Sequence, residues 1–130
     1  MNRTLVLLSR FALAAIFVVT GAQKLQNFHD TARIMAHMGV PLATLLLAIA
    51  VVLELGGGFL IALGWRARIA AGALFVYLIP VTIYFHIAEG FDLIQTLKNL
   101  AIMGALLRIA ADGPGAESLD EARTAKAARS

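Results

Sequence analysis

The chain contains no cysteine. That absence removes disulfides, thiolate nucleophiles, thiol redox couples, covalent haem attachment and cysteine-ligated iron–sulfur clusters, so any redox role must run through a bound cofactor or a partner. Charge is scarce as well: 15% of the 130 residues are Asp, Glu, Lys or Arg, against 60% hydrophobic residues and a mean hydropathy of +0.82. So apolar a mixture excludes an ordinary water-soluble domain and points to a bilayer. No glycine-rich phosphate loop is present, since Gly56-Gly57-Gly58 falls inside an apolar run and not after a soluble strand. The three histidines, His29, His37 and His86, form no His-x-x-x-His or Glu-x-x-His pair on a helix face, so no metal site is expected. A formal charge of +3 and a pI near 9.8 come from dispersed Lys and Arg, which excludes a nucleic-acid patch.

What is present is length of apolar chain. Four runs, 5–25, 41–63, 69–88 and 93–111, each reach the roughly 20 residues needed to cross hydrocarbon. Gly39 and Pro41 mark the start of the second run, and Gly64, Gly90 and Gly113-Pro114-Gly115 mark the ends of the second, third and fourth. No alternating ten-residue pattern suggests a barrel, so backbone polar groups in hydrocarbon must be satisfied within helices. The expected fold is all-α, a polytopic four-helix membrane bundle over 1–111 followed by a tail over 112–130. Residues 28–38 are too short to span and carry Phe28, Ala32, Met35 and Met38 at helical spacing, which predicts a short interfacial helix between the first two spans. The tail shifts to small and charged residues and is expected to be mobile.

Four crossings place Arg3, Arg10, Arg66, Arg68, Arg108, Arg123, Lys126 and Arg129 on one side, and Lys24, Arg33 and Lys98 on the other. By the positive-inside rule both termini are then cytoplasmic, in a multi-pass protein of the inner (plasma) membrane. The rival reading, a cleaved signal peptide ending near Thr20-Gly21-Ala22, is opposed by Arg10 inside the first apolar run.

Polar residues deep in these runs carry the functional signal, because a charge near a helix centre costs about 2.5–3.5 kcal/mol on insertion scales. Glu54 lies far from both ends of its span, so it must be protonated, paired or turned to a hydrated cavity. Counted from the assigned cytoplasmic ends at about 1.5 Å per residue, Arg10 lies about 8 Å deep, Glu54 about 14 Å and Lys98 about 20 Å. Glu54 is thus expected between Arg10 and Lys98, with Lys24, Tyr84, His86 and Asn99 adding polar groups to the outer half as a candidate pocket. Plainer readings stand beside this one. Lys24, Lys98 and Arg10 can snorkel to headgroups, His86 can be an ordinary interfacial residue, and Glu54 can be one half of a structural ion pair. Pro80 is expected to kink the third span, and Gly58 with Ala62 and Ala101 with Ala105 to admit close helix approach.

The segments Gly21-Ala22-Gln23-Lys24-Leu25, Met38-Gly39-Val40-Pro41, Leu53-Glu54-Leu55-Gly56-Gly57-Gly58, Leu97-Lys98-Asn99-Leu100-Ala101 and Gly113-Pro114-Gly115-Ala116-Glu117-Ser118-Leu119-Asp120 together resemble the DoxX family of small bacterial membrane proteins, over nearly the whole chain from Arg10 to Asp120. The last two segments are its most specific part. The resemblance implies a four-helix inner-membrane protein. It also implies a link, in some relatives, to thiosulfate oxidation that delivers electrons to quinone, and in others to complexes handling oxidative stress. The positions it carries over are Arg10, Lys24, Glu54, Lys98 and Asn99, with Gly113 to Gly115 and Ser118 to Asp120 as the cytoplasmic cap of the fourth helix. No soluble domain is present to bind a sulfur anion, so such chemistry would need a second subunit.

The leading reading is an accessory or anchoring membrane subunit of a redox system, with a polar pocket for a quinone-like or other lipid-soluble ligand and no self-contained catalytic motif. Glu54 would relay a proton or bond a ligand, Lys98, Asn99 and Lys24 would supply donors, and Arg10 would hold Glu54 ionised. The expected partners are the bilayer, redox subunits and a second copy of the chain. Two other classes compete: a small permease or exporter using the same polar track, and an assembly factor in which these charges only lock helix packing.

Overall fold

The computed structural model describes residues 2–88, 90–115 and 118–129, with the backbone alone at 86–88. Its elements are α1 (Arg3–Gln26), α2 (Phe28–His37), α3 (Ala43–Leu63), α4 (Ala67–Val81), a π-helical stretch (Thr82–Ala88), α5 (Leu93–Asp112) and α6 (Leu119–Arg129). Among the described residues there is no strand. The short helix expected ahead of the second span is α2, and Asn2 opens α1 by accepting from the N–H groups of Thr4 and Leu5 at 3.0 and 3.2 Å.

Three helices, α1, α3 and α5, are long and apolar enough to cross a membrane. The expected third span divides instead into α4, with 15 residues, and the π-helical stretch that continues it. Pro80 stands two residues ahead of that break: it donates no N–H and its ring crowds the carbonyl of Val76, so the α-helical ladder is already interrupted where the π stretch takes over. The expected start of the second span also moves, from Pro41 to Ala43, because Leu42 takes a left-handed conformation at φ +51° that cannot continue an α-helix.

Packing runs in a row: α1 lies antiparallel on α3, α3 on α4, and α4 on α5, while α2 covers α3 and the π stretch bears on α5. In hydrocarbon no hydrophobic force draws helices together, so close approach of small residues must supply van der Waals contact. Gly58 meets Ala14 and Phe17 of α1, and a Cβ at Gly57 would come within 2.9 Å of Leu74 on α4. Phe17, Ile61, Leu74, Leu78 and Leu106 make the core that these contacts enclose. The outside is equally apolar. Val52, Ile69 and Val76 are 63–70% exposed, which suits acyl chains and not water. Of α5 only Leu106 is buried, so this helix is held mainly along one edge by α4.

The tail carries a helix where mobility was expected. Ser118 and Glu121 form the start of a capping box, with the Glu121 N–H donating to Ser118 Oγ at 3.2 Å. Acidic residues fill the first turn of α6 and basic residues the last, opposing the helix dipole. Asp120 then ties α6 to the α3–α4 turn: its carboxylate accepts from the N–H groups of Arg66 at 2.8 Å and Ala67 at 2.9 Å, and its own N–H donates to the Gly64 carbonyl. Gly64, at φ +70°, ends α3 in a Schellman turn and leaves no room for a Cβ beside Ser118. Of the segment expected to cap the fourth span, Gly113 ends α5, its N–H donating to the Ile109 carbonyl at 2.8 Å, while Asp120 caps the start of α4. Pro114 meets Arg10 in the same region, which gathers the N-terminal helix, the α3–α4 turn and the C-terminal segment at one end.

Candidate polar site on Glu54

Glu54 projects from the middle of α3 toward α1 and α4, and its side chain is only 6% exposed. Lys24 of α1 donates to both of its carboxylate oxygens at 3.0 Å. The Tyr77 hydroxyl of α4 donates to Oε1 at 2.8 Å. Thr20 Oγ1 lies 3.2 Å from Oε2, although its single proton is shared with the Ile16 carbonyl at 2.7 Å. Gly21 makes the approach possible, since a Cβ there would stand 3.1 Å from Glu54 Cβ and 2.9 Å from Leu55 Cγ. An ammonium has three donors, and two of those on Lys24 are engaged by Glu54. The Lys24 side chain is 31% exposed, so the pair is asymmetric, with the anion enclosed and the cation at the edge.

The other expected members lie elsewhere. Arg10 is buried but sits about 15 Å along α1 from Thr20, and it donates to the carbonyls of Ala62 at 3.3 Å and Pro114 at 2.9 Å. The expected Arg10–Glu54 partnership is thus replaced by Lys24–Glu54, and Arg10 clamps the far end of the molecule. Lys98 is exposed on α5, and among the described residues Glu54 is bonded by Lys24, Tyr77 and Thr20, not by Lys98. Asn99 donates to Thr82 Oγ1 at 2.9 Å, tying α5 to the start of the π stretch. Tyr84 donates to the Met38 carbonyl at 2.8 Å, fixing the same stretch to the α2–α3 link. The side chain of His86 lies outside the described residues.

Thr20, Gly21 and Tyr77 join the site beyond the residues expected from depth and charge. Tyr77 was findable. It stands ten residues along α4 from Ala67, about 15 Å, and Glu54 stands nine residues before Leu63, about 14 Å, so the two share a depth. Lys24 belongs to the expected pocket, but a depth count that levels the spans at both ends puts Arg10 and Lys98 closer in height to Glu54. With Gly21 opposite Glu54, α1 ends only about 8 Å further on, whereas α3 continues about 17 Å to Ala43. A residue near the end of α1 is therefore at mid-height on α3.

The DoxX family model matches residues 5–87, which takes in Thr20, Lys24, Glu54 and Tyr77 but not α5. The chain is similar to the inner membrane protein YphA of Escherichia coli K12, 37% identical over 123 residues that cover 89% of this chain and 88% of the relative. It is likewise similar to the inner membrane protein YqjF of the same strain, 35% identical over 117 residues covering 88% of each. No solved structure matches it. A helical chain with three apolar helices of spanning length, matched by that model and resembling two inner-membrane proteins along most of its length, belongs to the DoxX family and is a multi-pass inner-membrane protein.

Proposed function

We propose that this protein is the membrane-embedded accessory or anchoring subunit of a redox system, and that the Lys24–Glu54 pair binds a carbonyl-bearing, lipid-soluble ligand of the quinone type. One observation carries the reading: a partly exposed ammonium with a donor beyond the two engaged by Glu54 is held at mid-height among apolar helices. Ionisable groups at that depth are costly to keep, and a ligand carbonyl reaching Lys24 from the lipid would meet a charge-assisted donor. The family resemblance supplies the redox context. In the same proposal the chain crosses four times with both termini cytoplasmic, α4 and its π continuation making the third crossing and α5 the fourth. Eight basic residues fall at or beyond the end where the termini and the α3–α4 turn meet, against three elsewhere, which supports that orientation.

The test is titration of a fluorescent quinone analogue into purified protein in lipid nanodiscs. Lys24→Met and Glu54→Gln should each weaken binding about tenfold or more, the loss of one charged hydrogen bond. Unchanged affinity in both variants overturns the proposal. A second reading has its own support: the carboxylate is fully enclosed and satisfied by α1 and α4, as a purely structural clamp between helices would be. That reading predicts that both variants lose thermal stability while the wild type binds no quinone analogue.

A further inference from the structure

Three arginines surround one cavity at the end where the termini gather. Arg66 comes from the α3–α4 turn, Arg68 from the first turn of α4 and Arg123 from α6, around a space of about 510 Å³ whose apolar side includes Ile69. None of the three guanidinium groups has a carboxylate at ion-pair distance among the described residues, although Asp120 and Glu121 share the lining. Arg33 and Arg108, by contrast, pair with Asp30 and Asp112. Asp120 is already committed, since both its oxygens accept backbone N–H groups of the α4 start. Three cations thus converge on a space where one carboxylate, that of Glu121, has no such commitment, leaving a positive potential for an outside anion to fill.

The location indicates which anion. Trp65, 40% exposed, carries the Arg66 guanidinium over its ring at 5.6 Å, and an indole of this kind sits at headgroup level in a bilayer. Ile69, one turn into α4 and 70% exposed, extends the cavity wall onto the apolar flank of the molecule. Cationic at the level of phosphates and apolar just below, the cavity has the polarity of a phospholipid, and guanidinium forks match phosphate oxygens in pairs. We infer that this cavity binds the phosphate of an anionic phospholipid headgroup, with Arg66, Arg68 and Arg123 as its ligands and Ile69 flanking the first acyl methylenes. A lipid held this way bridges α4 and α6 and reinforces the Asp120 tie between them.

Trp65 is the chain's single tryptophan and lies beside the site, so it reports directly. The full chain is reconstituted in phosphatidylcholine bilayers into which brominated phosphatidylglycerol or brominated phosphatidylcholine is titrated, and quenching of Trp65 gives the relative binding constant. The expected result is a preference for phosphatidylglycerol on the order of a hundredfold, with about fivefold lost for each arginine removed. R66Q/R68Q/R123Q should abolish the preference, and K126Q/R129Q on α6 should retain it. Should the triple variant lose its helical circular dichroism, R123Q alone, on the exposed face of α6, should still lower the preference about fivefold. Equal quenching by the two lipids in the wild type overturns the inference, as does a preference that survives all three arginine changes. Inorganic phosphate added at constant ionic strength separates the sources. No displacement of phosphatidylglycerol is expected, and displacement would replace the lipid assignment with a free-anion site.

Discussion

Lys24 donates to both carboxylate oxygens of Glu54 at 3.0 Å, joining the last turn of α1 to the middle of α3. Removing either partner strands the other in an apolar setting. A buried pair broken this way typically costs about 3–5 kcal/mol, and the partial exposure of Lys24 reduces that to about 1–3 kcal/mol because the ammonium can withdraw toward headgroups. Glu54→Gln should therefore lower unfolding stability by that amount in detergent. In a double-mutant cycle with Lys24→Met, the double variant should be less destabilised than the two single losses added together.

The Tyr77 hydroxyl gives a smaller effect of the same kind. Tyr77→Phe keeps the ring against the core and deletes only the 2.8 Å bond to Glu54. Hydrogen bonds between helices in bilayers average about 0.6 kcal/mol, with a ceiling near about 2 kcal/mol. Denaturant titration should place the loss near that average, below the loss for Glu54→Gln.

Gly21 and Gly56 form a matched test of helix approach. A Cβ at Gly21 meets Leu55 at 2.9 Å and Glu54 at 3.1 Å, whereas nothing lies within 4 Å of one at Gly56. Gly21→Ala should force α1 away from α3 at a cost of about 1–3 kcal/mol, and Gly56→Ala should change stability by about 0.5 kcal/mol or less apart from its helix propensity. Equal thermal shifts in the two variants would count against the close crossing.

Asp120 caps α4 from outside that helix. Asp120→Ala should cost about 0.5–2 kcal/mol, the usual loss for a helix cap. Hydrogen exchange read by mass spectrometry should locate the effect, with faster exchange in the peptide holding Arg66 and Ala67 and earlier proteolysis within α6. Exchange confined to α6 alone would show that the carboxylate does not hold the α4 start.

Much of this molecule was legible in the chain. The apolar runs at 5–25, 41–63 and 93–111 map closely onto α1, α3 and α5, because nearly continuous apolar sequence of that length becomes helix when backbone groups cannot reach water. The short helix α2 followed from amphipathic spacing. Glu54 as a buried acid paired with a base of a neighbouring helix also followed, since an unpaired charge at that depth is expensive. The chain also carries the capping-box signature at Ser118 and Glu121, although the polar composition around it predicts a mobile tail.

What residue pattern and rise per residue could not supply was relative height. Each helix constrains its own periodicity, but the level at which one meets another depends on how far each runs and where close-packing glycines let backbones approach. That is why Lys24 and not Arg10 became the partner of Glu54, and why Arg10 joined Pro114 instead. The sequence by itself determined that the chain is helical, apolar on every side and obliged to neutralise one deep carboxylate. Only the tertiary structure decided which cation does so, because the offset of α1 against α3, opened by Gly21, sets what a side chain of fixed length can reach.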